Sequence, residues 1–252
     1  MGPAKTFIIQ FYMEPKLSII ICVFESYEVT RRQALYFSKM NLPDDIEFIF
    51  VDDGSEPEHP QYDLKNLKMI YTHDKRPWTQ GIARNIGVRN AGGKYVLCTD
   101  IDHILSYEAI MYCYNYSGYM VIFPRYLGVL TEDGTFTQDI PTLIEYGLDP
   151  SRPNTRRGLY ASFHGNTYCM LKDTFWEIGG NDERYCVYGH HAPNRHGEDA
   201  MLNRAWNHWA NARGIKADVG PKIYCFTNGR YNINGDPNPK GLFHTLSYEI
   251  PK

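Results

Sequence analysis

The pattern of apolar and polar positions becomes regular at Leu17, where Leu17 to Phe24 form an apolar run without alternation. Such a run predicts a strand covered on both faces, as in a parallel sheet with helices packed on either side. After Glu25-Ser26-Tyr27, residues Glu28 to Met40 place Val29, Arg32, Leu35 or Tyr36, and Lys39 or Met40 at helical spacing, and Asn41-Leu42-Pro43 ends that helix. Ile46 to Val51 predicts a second strand and Lys68 to Tyr71 a third. Thr79 to Asn90 reads as a helix stopped by Gly92-Gly93, and Tyr95 to Thr99 as a fourth strand. This alternation predicts an α/β fold: a Rossmann-like, open, mainly parallel sheet with helices on both faces, whose ligands sit beyond the carboxyl ends of the strands.

The polar residues at those strand ends are Glu25, Asp52-Asp53-Gly54-Ser55 and Asp100-Ile101-Asp102. Past Tyr119 to Pro124 the texture changes. Asp133-Gly134, Pro141, Gly147, Pro150, Pro153 and Gly158 punctuate a stretch expected to be a loop over the site, before an apolar segment at Thr167 to Leu171. A last helix starts at Glu198, with Leu202, Ala205, Trp206 and Trp209 on one face, and ends near Gly214. One domain over 1–252 is expected, with one half at 17–123, a second at 124–226 and a Gly/Asn/Pro-rich tail at 227–252.

Composition narrows the possibilities. The 252 residues suffice to bury about three quarters of the unfolded chain's surface without a disulfide or metal staple. With 43% hydrophobic and 22% charged residues, disorder and coiled coil are excluded. A net charge of −3 lacks the basic excess of a nucleic-acid binder, so no nucleic-acid partner is expected. The six cysteines include no Cys-x-x-Cys pair and stand mostly in apolar runs, which points to free thiols in a reducing, cytoplasmic setting. Met1 to Tyr12 shows neither a signal-peptide nor a membrane-anchor pattern. The 20 tyrosines serve core packing first, with stacking on sugar rings as a second use.

Asp100 and Asp102, two carboxylates one residue apart after a buried strand, are either a solvated turn or an oxygen-ligand site for Mn²⁺ or Mg²⁺ with a diphosphate. The neighbouring blocks decide between these readings. Val51-Asp52-Asp53-Gly54-Ser55, Ala83-Arg84-Asn85-x-Gly87, the Asp-x-Asp, Gly179-Gly180-Asn181-Asp182-Glu183 and Gly197-Glu198-Asp199 follow one another between residues 17 and 210. Together they resemble glycosyltransferase family 2, with the last two blocks similar to galactosyltransferase and polypeptide N-acetylgalactosaminyltransferase relatives.

The resemblance implies a GT-A fold, a nucleoside-diphosphate-sugar donor (a UDP-sugar), a divalent cation, and inverting transfer of a hexose-type sugar to a carbohydrate or glycoconjugate acceptor. It implies Asp199 as the base that takes the acceptor hydroxyl's proton and Glu198 as an acceptor ligand. Acids at a helix N-terminus also occur for reasons of capping and dipole alone. Asp102 is implied as the direct metal ligand, with Asp100 reaching the metal or the ribose and His244 as a late third ligand. Asp53 or Asp52 is implied at the nucleobase or ribose, the alternative for either being a turn cap. Arg84 suits a diphosphate or a partner carboxylate equally. Asp182 and Glu183 share the acceptor role or close a turn.

Two departures stand out. Cys22-Val23-Phe24-Glu25 replaces the usual Pro-Thr-Tyr-Asn, leaving Phe24 and Glu25 to meet the nucleotide, and Gly189 to His196 looks like an insertion lining the acceptor cleft. Its His190, His191 and His196 lack a cysteine partner at zinc spacing and read as a solvated loop. Trp78 and Trp176 are sugar platforms or core residues, and Arg152, Arg156 and Arg157 a solvated loop or a basic lid. The alternatives to a transferase are a carbohydrate- or nucleotide-binding module without turnover and a sugar-nucleotide nucleotidyltransferase. The latter would need a glycine-rich phosphate loop where Glu25-Ser26-Tyr27 stands.

Overall fold

The structure, a computed structural model, describes residues 14–76, 79–148, 151, 158–185 and 197–226, with the backbone alone at Ser162, His164 and Glu198. Strand β1 (Leu17–Val23) is buried at every position, as its unalternating pattern requires. It is flanked in parallel by β2 (Ile46–Asp52) and β4 (Tyr95–Asp100), and β3 (Leu67–Tyr71) adds to β2 in parallel at the sheet edge. Successive side chains of these strands feed opposite faces. Ile19, Ile21, Phe48, Phe50 and Leu97 pack with Ala34 and Phe37 of α1 (Tyr27–Ser38) and with Ala109, Ile110 and Cys113 of α3 (Tyr107–Tyr114). On the other face Ile20, Cys22, Ile49, Val51, Val96 and Cys98 meet α2 (Gln80–Asn90), α5 (Lys172–Glu177) and α6 (Glu198–Asn211).

The sheet continues as a mixed one. Strand β8 (Tyr160–Leu171) lies antiparallel on β4, and β6 (Met120–Leu130) antiparallel on β8. Strand β10 (Ile223–Phe226) runs parallel to β6, and β5 (His103–Ile104) lies antiparallel on β10, giving the order β3-β2-β1-β4-β8-β6-β10-β5. Two short strands, β7 (Phe136–Thr137) and β9 (Asp218–Val219), pair with β6 alone. The fold is therefore the α/β sheet with helices on both faces that the pattern predicts, parallel in its first half.

The loop expected between Pro124 and Thr167 is corrected. β6 runs on to Leu130, β7 and α4 (Ile140–Glu145) follow, and β8 begins at Tyr160. The β6–β8 pairing shifts register between Ile122 and Pro124 and again between Arg125 and Tyr126. Each shift interrupts the two-residue alternation by which a strand is recognised. A third core cluster, with Val29, Val129, Leu130, Leu143, Leu159 and Phe226, anchors this region to α1.

Among the described residues Cys22, Cys98, Cys113, Cys169 and Cys225 are buried free thiols, and no helix is long and apolar enough to cross a membrane. Trp78, Arg152, Arg156, Arg157, the Gly189 to His196 segment and the tail with His244 lie outside the described residues.

Helix α2 lies so close to the sheet that a Cβ at Gly87 would stand 2.5 Å from Ile20 Cγ2 and 3.2 Å from Val51 Cγ2. Gly87 is thus a packing requirement. Gly87→Val is expected to lose about 1–3 kcal/mol of stability in urea denaturation through overpacking; an unchanged midpoint would show that α2 steps back freely.

Candidate active site

Parallel register brings the carboxyl ends of three strands to one edge: Val23 is opposite Asp52, and Cys22 is opposite Asp100. Asp52, at the end of β2, accepts the backbone N–H of Ser55 on Oδ1 at 2.9 Å and that of His59 on Oδ2 at 2.8 Å. Both of its oxygens organise the following loop, as a turn cap does. Ser55 in turn accepts the backbone N–H of Glu25 at 3.0 Å, holding Glu25 in the left-handed region at φ 45°. Such a conformation is unusual for a residue with a side chain and marks this strand end as constrained. Gly54, at φ 84°, has no alternative: a Cβ there would lie 2.0 Å from the carbonyl oxygen of Asp74. Asp53 points elsewhere and accepts the Thr79 hydroxyl at 2.7 Å. Burial pushes its carboxyl up to about 6, against the opposing effect of the Thr79 hydrogen bond.

The centre of the site is Arg84, buried on α2 with 1% of its side chain exposed. Its Nη2 donates to Asp100 Oδ1 and its Nη1 to Asp199 Oδ1 at 2.6 Å. Of the two uses open to Arg84, carboxylate pairing is the one its geometry displays. Burial opposes its charge, but Asp100 and Asp199 raise its proton affinity well above the ordinary arginine range. Asp199 is the second residue of α6, where the helix dipole favours an anion. Asp100 also accepts Gln80 Nε2 on Oδ1 at 2.9 Å and Asn166 Nδ2 on Oδ2 at 2.8 Å. Burial pushes the Asp100 carboxyl up, but Arg84 and the Asn166 hydrogen bond outweigh it and hold the group below the usual carboxylate range.

One ligand atom each from Asp100, Asp102 and His103 lie within 4.8 Å of one another. The two carboxylates of this cluster are oxygen donors that fit Mn²⁺ or Mg²⁺, with the imidazole beside them. Reading the sequence for paired acids missed His103, although its position directly after the Asp-x-Asp was a usable signal. His103 Nε2 lies 2.8 Å from Arg125 Nη1, and Nδ1 lies 2.6 Å from Thr167 Oγ1. A guanidinium only donates, so Nε2 accepts and Nδ1 carries the proton toward Thr167. Gln33, fully buried on α1, donates its amide to the carbonyls of Ile101 at 3.1 Å and His103 at 2.8 Å, pinning this loop from behind. No motif in the sequence announced Gln33.

The Gly179-Gly180-Asn181-Asp182-Glu183 block clasps α2. Asn85 Nδ2 donates to the carbonyl of Asn181 at 2.9 Å and to Glu183 Oε1 at 3.0 Å, while Asn85 Oδ1 accepts the backbone N–H of Asn181. Asp182 pairs with Arg184 at 2.6 Å. Trp176 is partly exposed and edge-on to Phe175. Of Glu198 the structure shows only that it opens α6, and Phe24 follows the end of β1.

The family model "Glycosyl transferase family 2" matches residues 18–208. The chain belongs to glycosyl transferase family 2. No curated protein matches it as a relative. Among solved structures, a mannosyltransferase, PcManGT from Pyrobaculum calidifontis in complex with GDP-Man and Mn²⁺, is similar at 16% identity and a TM-score of 0.50. That match covers 85% of this chain and 57% of the other. TarS 1-349 of S. aureus is similar at 14% identity and a TM-score of 0.51, over 84% of this chain and 60% of the other. The family 2 chain thus spans less than two thirds of either structure, and likeness at this level of identity speaks for the shared fold, GT-A.

The raised Asp53 carboxyl has a consequence for stability. Because the folded state binds this proton more tightly than the unfolded chain, the group's contribution is greatest below about pH 4 and is lost as pH rises through about 6. Asp53→Asn, which cannot ionise, is expected to be more stable than wild type by about 2–3 kcal/mol at pH 8, with the gap closing toward pH 4. Urea denaturation across that range checks it; a gap independent of pH would show that burial does not perturb Asp53.

Proposed function

We propose that this family 2 chain transfers a hexose-type sugar from a nucleoside-diphosphate donor to an acceptor hydroxyl on a carbohydrate or glycoconjugate, with inversion at the anomeric carbon. The observation that carries the reading is the meeting, at one sheet edge, of the Asp100–Asp102–His103 cluster with Asp199, linked to it through Arg84. Asp199 accepts the proton of the acceptor hydroxyl as the oxygen bonds to the anomeric carbon, and the bond from that carbon to the diphosphate breaks with its electron pair leaving on the nucleotide. Glu198, at the same helix start, orients the acceptor.

Asp102 and Asp100 are the residues to hold Mn²⁺ or Mg²⁺, with His244 a further ligand expected from the sequence. The cation supplies positive charge to the departing diphosphate. His103 supports the loop, its ring turned toward Arg125 and Thr167. Asp53 is the residue to receive a ring N–H of the nucleobase, since both oxygens of Asp52 already accept backbone N–H groups. Uracil, thymine and guanine each present such an N–H, and UDP is the expected donor nucleotide. Phe24 and Glu25 complete the nucleotide side. The buried free thiols agree with a cytoplasmic setting.

Thermal melts of the chain with UDP, GDP, CDP and dTDP, each with Mn²⁺ or with chelator, test the reading. Saturating ligand at a hundred times its dissociation constant adds about 2.7 kcal/mol, so one nucleotide is expected to raise the melting temperature in a metal-dependent manner, and Asp102→Ala to abolish the shift. Asp199→Asn is expected still to show a metal-dependent shift at saturating Mn²⁺ while losing about 10²–10⁴-fold in sugar transfer. A metal-independent shift retained in Asp102→Ala, or wild-type transfer by Asp199→Asn, would overturn it.

A further inference from the structure

Arg84 is the feature whose geometry exceeds what a single ion pair needs. Its side chain comes from α2, Asp100 from the end of β4 and Asp199 from the first turn of α6, so one cation joins three elements that are otherwise separate in the chain. The guanidinium is almost wholly buried, and among the described residues its Nε has no hydrogen-bond partner. Its hydrogen bonding is therefore concentrated in the two η nitrogens, one for each carboxylate. The wall around it is largely apolar: Ala83, Cys22, Cys98 and Tyr168 belong to the same core cluster, so water does not screen the three charges as it would at the surface.

We infer that Arg84 is a positioning residue that couples the metal-side carboxylate to Asp199. The inference rests on the proposed roles of Asp100 in holding a divalent cation and of Asp199 as base. Asp100 and Asp199 compete for one positive charge. When a cation takes Asp100, it repels the guanidinium and draws on the same carboxylate, so Arg84 shifts its hold toward Asp199 and fixes that side chain as the donor site fills. When Asp199 is neutralised, Arg84 concentrates on Asp100 and resists the cation. By linkage the two effects are equal in size, whichever site is perturbed first. Asp199 then influences metal affinity without being a ligand.

A double-mutant cycle on Mn²⁺ affinity, measured on the full chain by the electron paramagnetic resonance signal of free Mn²⁺, reads this coupling directly. Asp199→Asn is expected to weaken Mn²⁺ binding by about fivefold or more when Arg84 is present, and by less than about twofold in the Arg84→Met background, where only through-space attraction remains. Arg84→Lys, which keeps the charge but lacks the planar fork, gives the same cycle if Arg84→Met does not fold; it is expected to shrink the effect of Asp199→Asn rather than preserve it. A purely structural Arg84 would lower the melting temperature and leave Asp199 without influence on Mn²⁺. Equal effects of Asp199→Asn in both backgrounds, or none in either, would overturn the coupling while leaving the cation site intact. Unchanged Mn²⁺ affinity in Asp102→Ala would instead remove the cation site itself, and the coupling with it.

Discussion

The guanidinium of Arg84, held in the interior between Asp100 and Asp199, is the interaction on which the site depends. A lone buried charge is strongly unfavourable, and removing one partner from a buried pair costs about 3–5 kcal/mol. The three groups therefore constrain one another: α2 must present Arg84 inward, β4 must end where Asp100 can reach it, and α6 must begin where Asp199 can. Gly87, one turn further along α2, lets that helix lie against Ile20 and Val51 closely enough for the guanidinium to arrive. The stability of the core and the geometry of the candidate active site are thus set by the same helix.

Around this centre the polar residues divide into those given to a ligand in the proposed function and those that hold the frame. Asp52 spends both oxygens on the backbone of its own loop, Asn85 ties the Gly179-Gly180 turn to α2, and Gln33 holds the Ile101 and His103 carbonyls. These are buried side-chain bonds to backbone groups, which would be costly to leave unmade and so fix loop shape. Asp53, Asp102 and Asp199 are placed by that frame. The motifs of this chain therefore mix two kinds of residue under one pattern, and adjacent letters such as Asp52 and Asp53 do different physical work.

Much of the fold was legible because the first half of the chain obeys simple periodicities. The run Leu17 to Phe24 is apolar on both faces and became the central strand, and the helix, strand, helix, strand boundaries through Asp100 fall within a residue or two of those read from pattern. The stretch after Pro124 was misread as a loop, because its strands carry register shifts and half-buried tyrosines and arginine in place of clean alternation. His103 and Gln33 escaped for a related reason: one has no repeating neighbour, and the other is a polar residue on a helix whose partners lie about seventy positions away.

The sequence by itself determined the α/β class, the order of the parallel strands' chemistry-bearing ends and the five blocks that place the chain in its family, since these are local patterns or contiguous motifs. Only the tertiary structure decided which carboxylates are committed. That Arg84 pairs with Asp100 and Asp199, and that His103 turns to Arg125 and Thr167, depend on side chains distant in sequence meeting where water is largely excluded; that Asp52 caps a turn was one of two readings open in the sequence, and its bonds to the Ser55 and His59 backbone chose it. Burial strips away the solvent that would otherwise satisfy each charge alone, so the choice of partner follows from the packing of the sheet and its helices, which no local pattern encodes.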